Sequence, residues 1–247
     1  VAQEKGRFGE QAINKIAEMA LASQLGEVER VEVQINTDLN KLAHGEVECI
    51  NIKINGVPIQ QDLTLEELQL EINQVTVKPL SALLGKIKLT KPAEGIVRIV
   101  INENSLNRAF NSKSFDKYLH QSKSFVDDKQ QIIHVQQVQC FLLADGNIAF
   151  NSKLILDKTQ ETKLVAFTAI PCIANNGEKI VLQNMDYLEG KEIAPELTAA
   201  LITQMSEFLS LRKFEQKGML LRIQQIDVTV GKLTLQANAY IEQFPSS

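Results

Sequence analysis

Apolar residues recur at every second position in run after run of this chain, and most runs are separated by residues suited to a chain reversal. "VERVEVQI" sets Val31, Val33 and Ile35 on one side, "LADGNIAFNSKLIL" reverses at Asp145-Gly146 into an arm of alternating apolar residues, and "KLTLQANAYI" sets Leu233, Leu235, Ala237, Ala239 and Ile241 on a single face. A period of two puts these side chains on one surface of a strand, because successive Cβ atoms point to opposite faces. One-sided strands joined by short turns predict antiparallel sheet with a face against a core. Asn55-Gly56, Asp145-Gly146, Asn175-Asn176-Gly177 and Gly231-Lys232 are read as reversals, since these residues tolerate positive φ or suit turns.

The alternation slips in two places. Val47 and Cys49 occupy odd positions while Ile50, Ile52 and Ile54 occupy even ones, and a second slip falls between Ile72 and Val75. Such a slip exchanges the faces of a strand unless a bulge absorbs one residue. Ile87 and Leu89 then lead through Gly95 to Val97, Ile99 and Ile101, with Pro79, Gly85, Pro92 and Gly95 read as breaks in a long bent meander.

Three stretches switch to helical spacing. From Glu4 to Leu25 the residues Phe8, Ile13, Ile16, Ala17, Ala20 and Leu21 recur three and four apart. Asn102 suits a helix start before Leu106, Phe110 and Leu119, since its short amide side chain accepts from first-turn N–H groups. Between Lys191 and Phe214, Ile193, Leu197, Leu201, Met205, Phe208 and Leu209 form a stripe, with Pro195 in the first turn, where a missing amide is harmless. The polar stretch from Asn111 to Lys129 is read as partly loop and is the one candidate boundary. A helix spanning Lys191 to Phe214 needs both groups of strands to cover its stripe, so residues 1–247 are read as one elongated α+β domain.

Bulk properties close off several functions. A net charge of -4 and a pI near 5.6 provide no basic footprint for nucleic acid. Hydrophobic residues at 44% against 23% charged place the chain with ordinary folded proteins, and no apolar run approaches a membrane span. Cys49, Cys140 and Cys172 are odd in number and far apart, which fits buried free thiols in a reducing compartment better than a disulfide framework. No export signal is visible in these residues, so a cytoplasmic or peripheral-membrane place is the favoured expectation, while a start at Val1 rather than methionine leaves a periplasmic place open if a leader was removed.

Catalytic signatures are missing: there is no GxSxG, CxxC or HExxH, and no glycine-rich phosphate loop. His44, His120 and His134 lie far apart, and no metal ligands are assigned. Asp127-Asp128 and Glu66-Glu67 are read as solvated surface and Glu103 as part of a helix cap. What is left is apolar surface. The last helix either plugs the curved sheet or leaves an elongated slot, and a slot suits acyl chains because each buried CH₂ contributes about 0.8 kcal/mol without any polar contact.

Three passages carry a resemblance over nearly the whole chain. They are the opening "EKGRFGEQAINKIAEMAL", the long "LNKLAHGEVECINIKINGVPIQQDLTLEELQLEINQVTVKPLSALLGKIKLTKPAEGIVRIVINENSLNRAF", and the later "LADGNIAFNSKLIL" arm. Together they resemble the LmeA-like phospholipid-binding family of bacteria. The resemblance implies a tubular, TULIP-like architecture: a strongly twisted antiparallel sheet curled around long amphipathic helices, with an apolar channel for glycerophospholipid. It implies a non-enzymatic lipid-binding or lipid-transfer protein that needs no cofactor, touches a membrane surface transiently and has phospholipid or another acyl lipid as its partner, with homo-oligomers left open. It transfers no contact residue. The expected channel wall is therefore drawn from the apolar stripes: Leu197, Leu201, Met205, Phe208 and Leu209 on the last helix, and Ile99, Ile101, Phe150, Phe167 and Leu235 on strands. A second reading is a scaffolding protein of a membrane or envelope assembly whose groove takes an apolar protein segment.

Overall fold

The structure, a computed structural model, describes residues 2–25, 27–60, 62–78, 89–121, 124–126, 129–131, 133–188, 195–208 and 218–242. In chain order the elements are α1 (Ala2–Leu25), β1 (Arg30–Asn36), α2 (Leu39–Ala43), β2 (Glu46–Gln60), β3 (Leu63–Thr76), β4 (Ala93–Asn102), α3 (Glu103–Phe110), α4 (Lys113–Gln121), β5 (Ser124–Val126), β6 (Lys129–Gln131), β7 (Ile133–Leu142), β8 (Ile148–Leu156), β9 (Thr162–Ala174), β10 (Lys179–Tyr187), α5 (Pro195–Phe208), β11 (Met219–Thr229) and β12 (Lys232–Ile241). Antiparallel strands dominate and helices are few, consistent with the α+β class.

Two main sheets hold most of the strands. The larger has the order β1-β2-β3-β4-β12-β11, the smaller β10-β9-β8-β7, and β5 pairs with β6 alone. The first four strands form a meander, and the hairpin from the far end of the chain docks beside them through β12 on β4, with Leu233 opposite Ile101 and Leu235 opposite Ile99. Period-two burial lines up across this register. Val33, Ile52, Leu70, Val97, Ala237 and Ile223 form one buried row crossing all six strands. Each large aliphatic side chain in such a row contributes about 1.5–3 kcal/mol relative to exposure.

Several local readings change. The two slips are a single feature: Val47 pairs with Val75 and Ile50 with Ile72, so both strands exchange faces together and no residue is left over as a bulge. Gln74 at φ 55 lies within this step, and the register shift of the pair falls instead between Pro58 and Gln60. β2 also runs straight through Asn55-Gly56, where a reversal was expected, and continues to Gln60. There the Asn55 carbonyl accepts from the Glu29 N–H at 3.0 Å, so the dipeptide passes the end of β1 while pairing with β3 persists. Gly95 lies inside β4 and is no break. A Cβ there would meet the Glu71 carbonyl oxygen at 2.5 Å, so the glycine permits close backbone approach.

The polar stretch after Phe110 is also more ordered than its composition suggested. Asn102 caps α3 as expected, accepting from the Ser105 N–H at 2.8 Å, but Asn111 ends that helix. Ser112 then restarts the chain as α4, its hydroxyl accepting from the Phe115 N–H at 3.1 Å. Pro79, Gly85 and Ile87 lie outside the described residues, as do Ile193 and the stretch 209–217, so α5 is described only over Pro195–Phe208.

Helices cap both sheets along one edge. On α3, Glu103 Oε2 accepts from the Leu142 N–H at 2.8 Å, Asn107 both accepts from the Cys140 N–H at 2.7 Å and donates to its carbonyl at 2.9 Å, and Asn111 does the same at Val138 with 2.8 and 2.7 Å. Four residues of helix rise about 6.0 Å and two of strand about 6.6 Å, so every fourth side chain meets every second backbone pair of β7. α1 treats β1 the same way: Asn14 Oδ1 accepts from the Ile35 N–H at 2.9 Å and Glu18 Oε1 from the Val33 N–H at 3.4 Å. The edges at β1 and β7 are thereby denied to other chains. Because α1 lies along an edge strand, its apolar stripe is only partly covered, and Ile16, read as inward, is 59% exposed beside Met19 at 65%.

Candidate functional site

Among the described residues the two sheets meet at the β11–β12 turn and again at the turn after β9. Gly231, in the β11–β12 turn, accepts from the Glu103 N–H at 2.9 Å and donates to the Leu142 carbonyl at 3.1 Å. On the other side the turn Asn175–Gly177 rests on β11, and Glu178 pairs with Arg222 at 3.2 Å. An apolar groove of about 60 Å³ opens between these points. Leu106 and Phe110 line it from α3, Phe150 from β8, Leu182 from β10, Met205 from α5 and Leu233 from β12.

Aromatic rings continue the lining across the smaller sheet. Phe115 meets Phe110 at 5.4 Å, Phe110 meets Phe150 at 6.3 Å, Phe150 meets Phe167 at 5.3 Å, and Phe167 meets Tyr187 at 6.5 Å. The column runs from the fully buried Phe115 to Tyr187, which is 45% exposed. Along the same side, Ile173, Met185 and Leu188 leave apolar surface open to water around β10.

Of the residues read from sequence as a channel wall, Met205 and Phe150 line the groove and Phe167 stacks behind Phe150. Leu201, Ile99, Ile101 and Leu235 are buried in the same core, the last three on the inner face of the larger sheet. Leu197 and Phe208 belong to α5, but their side chains lie outside the described ones, and Leu209 lies outside the described residues altogether. Leu106, Phe110 and Leu182 were missed as groove residues. Their helical and strand periodicity marks them as inward without saying which inward residues border a gap.

The polar groups give little chemistry. His44 Nδ1 lies 2.7 Å from the Asn40 carbonyl and His134 Nε2 3.5 Å from Asp157, while the His120 side chain lies outside the described ones. Among the described residues no group of three His, Cys, Asp or Glu side chains is placed to hold a metal. Glu103 serves β7 more than its own helix. Glu67 proves largely covered, held by Lys53 and Arg98 at 2.8 Å each, and Asp127-Asp128 lie outside the described residues. Of the cysteines only Cys140 is fully buried, Cys49 and Cys172 being half-buried. Burial pushes the Cys140 thiol up, and the Glu103 carboxylate adds to the effect, so the thiol lines the groove as an apolar group. Three larger hollows, of about 360, 590 and 790 Å³, open elsewhere on the larger sheet among the described residues, but Glu32, Lys53, Arg98, Lys41, Glu48 and Arg222 among their linings do not suit hydrocarbon.

A family model described as LmeA-like phospholipid-binding matches residues 5–238. The chain belongs to the LmeA-like phospholipid-binding family. No curated protein and no solved structure matches it. The LmeA-like match covers α1 through most of β12 and so includes every element that lines the groove. Among the described residues of this LmeA-like chain, no helix is long and apolar enough to cross a membrane.

Proposed function

We propose that this chain is a non-enzymatic phospholipid carrier whose acyl chains lodge in the groove between the two sheets, under α5. The apolar groove at Met205 and Phe150 carries the reading, in a chain whose family is phospholipid-binding. At about 60 Å³ the groove is well below the roughly 300–1,000 Å³ of typical ligand sites, so loading requires neighbouring elements to separate. α5 is the element suited to move. Among the described residues its Thr198 hydroxyl and Gln204 Oε1 are buried without hydrogen-bond partners, each costing about 1–3 kcal/mol, and it has no strand ladder to offset that cost, unlike β8 with its Ser152 hydroxyl in the same state.

β10 is the natural counterpart, as an edge strand whose side chains are at most half-buried. In the carrier reading residues 1–247 act as one TULIP-like unit. The exposed apolar end of β10, at Met185, Tyr187 and Leu188, touches the bilayer during transfer.

Native mass spectrometry of the purified chain after incubation with phospholipid vesicles tests the proposal. The wild type is expected to carry phospholipid, and Met205→Glu to carry far less per folded molecule, because an unpaired charge in an apolar wall is costly. A folded wild type that takes up no lipid overturns the carrier reading. Capture of an apolar peptide without lipid would favour the scaffolding role in its place.

A further inference from the structure

We infer that Lys179 holds the phosphate of the bound lipid at the rim of the groove, an inference that rests on the acyl-chain reading of that groove. Two charged residues line it, Glu178 and Lys179, adjacent where the turn after β9 becomes β10. Their situations differ. The Glu178 carboxylate is taken up by the Arg222 guanidinium at 3.2 Å, which offsets its charge toward a ligand. Lys179 has no ion-pair or hydrogen-bond partner for its ammonium among the described residues. It is a half-buried cation with no counter-charge in contact among the described residues, beside Ile180 and Leu182 of the apolar lining.

An apolar cleft with an ammonium on its rim that is unpaired among the described residues matches a ligand that is hydrocarbon at one end and anionic at the other. Chains that fill the space around Phe110, Phe150 and Met205 leave the phosphodiester at the rim, near water and near this cation. There the phosphate accepts charge-assisted hydrogen bonds that a neutral glyceride cannot replace. Lysine serves as a point charge here and does not demand one headgroup geometry, so it selects for phosphate and leaves the group beyond it free. A free phosphate ion offers the same oxygen acceptors without the chains, and it has to be distinguished.

The test is isothermal titration of the full-length wild type, Lys179→Gln and Lys179→Arg with three probes. These are dioctanoyl phosphatidylglycerol, dioctanoylglycerol with the same chains and no phosphate, and inorganic phosphate. The wild type is expected to bind the phospholipid more tightly than the glyceride. Lys179→Gln should weaken the phospholipid roughly three- to tenfold, leave the glyceride and the melting temperature unchanged, and be largely rescued by Lys179→Arg. Binding of neither lipid by the wild type overturns the acyl-chain reading and this inference with it. Phospholipid binding unaffected by Lys179→Gln, or weakened equally for both lipids, overturns the phosphate role alone. Inorganic phosphate binding as tightly as the phospholipid, and lost in Lys179→Gln, makes this a free-ion site and overturns the headgroup assignment.

Discussion

Gly177 shows how much can hang on one residue. It sits at φ +88, and a Cβ there would meet the Ile223 carbonyl oxygen at 2.6 Å and the Ile223 nitrogen at 2.8 Å. Those are backbone atoms of β11, which cannot swing aside as a side-chain end can. Gly177→Ala is therefore expected to lower the stability to urea by about 1–3 kcal/mol and to lift the turn that carries Glu178 and Lys179. An unchanged unfolding midpoint would show that the turn does not seat on β11 as described. The sequence marks Asn175-Asn176-Gly177 as a turn, but the contact with β11 joins residues some 46 positions apart and leaves no local trace. Lys179 escaped notice for the same reason, since its place on the rim of the groove depends on what the turn and β10 pack against.

At the scale of elements, α3 and β7 form the most specific pairing in the molecule. Asn107 satisfies both backbone groups of Cys140, so Asn107→Ala leaves a donor and an acceptor of an edge strand unpaired. A loss of about 1–3 kcal/mol is expected in chemical unfolding, with faster amide exchange at Cys140 than at its interior neighbour Phe150. Equal exchange at the two would refute the edge-capping role. In the larger sheet Glu67 joins three strands: Lys53 on β2 and Arg98 on β4 hold its carboxylate from either side, and Gln69 donates from β3 at 2.8 Å. The Lys53 hydrogen bond foremost, then the two positive charges, hold Glu67 below the ordinary value of 4.5 against an opposing contribution from burial. A carboxylate whose folded pKa is depressed adds stability that is present above its unfolded value and lost as pH falls through the folded one. The stability gap between wild type and Glu67→Gln should therefore be widest near neutrality and shrink below about pH 4.5, read from urea melts across that range. A gap independent of pH would remove the ion cluster as its cause. Neither pairing could be read from sequence, because a polar residue every fourth position looks the same on a solvated helix face as on one that caps a strand.

For the whole molecule the central consequence is an uneven resistance to opening. The larger sheet is bound through long ladders, including ten paired positions between β4 and β12 without a register shift, whereas α5 is docked with polar atoms unsatisfied among the described residues and β10 lies at an edge. Hydrogen exchange should report this difference directly. Without lipid, amides of α5 and β10 are expected to exchange well before those of β4 and β12; with phospholipid added, protection should rise at α5 and β10 and stay constant at β4 and β12. Uniform protection across all four elements would argue against loading by separation of α5 and β10.

By itself the sequence determined the strands, their inward faces and most of their turns, since a period of two and a left-handed turn residue are properties of a few adjacent positions. It also placed Met205 and Phe150 on inward faces, and the family was legible from passages spread over nearly the whole chain. Tertiary structure alone decided that the last hairpin completes the first sheet, that the facing slips at Val47 and Val75 form one step, that α1 and α3 cap sheet edges, and that the groove is narrow. Each of these depends on contacts between residues distant in sequence. Burial requires only that a side chain face inward, and it is the fit among several such faces that leaves a gap or closes it.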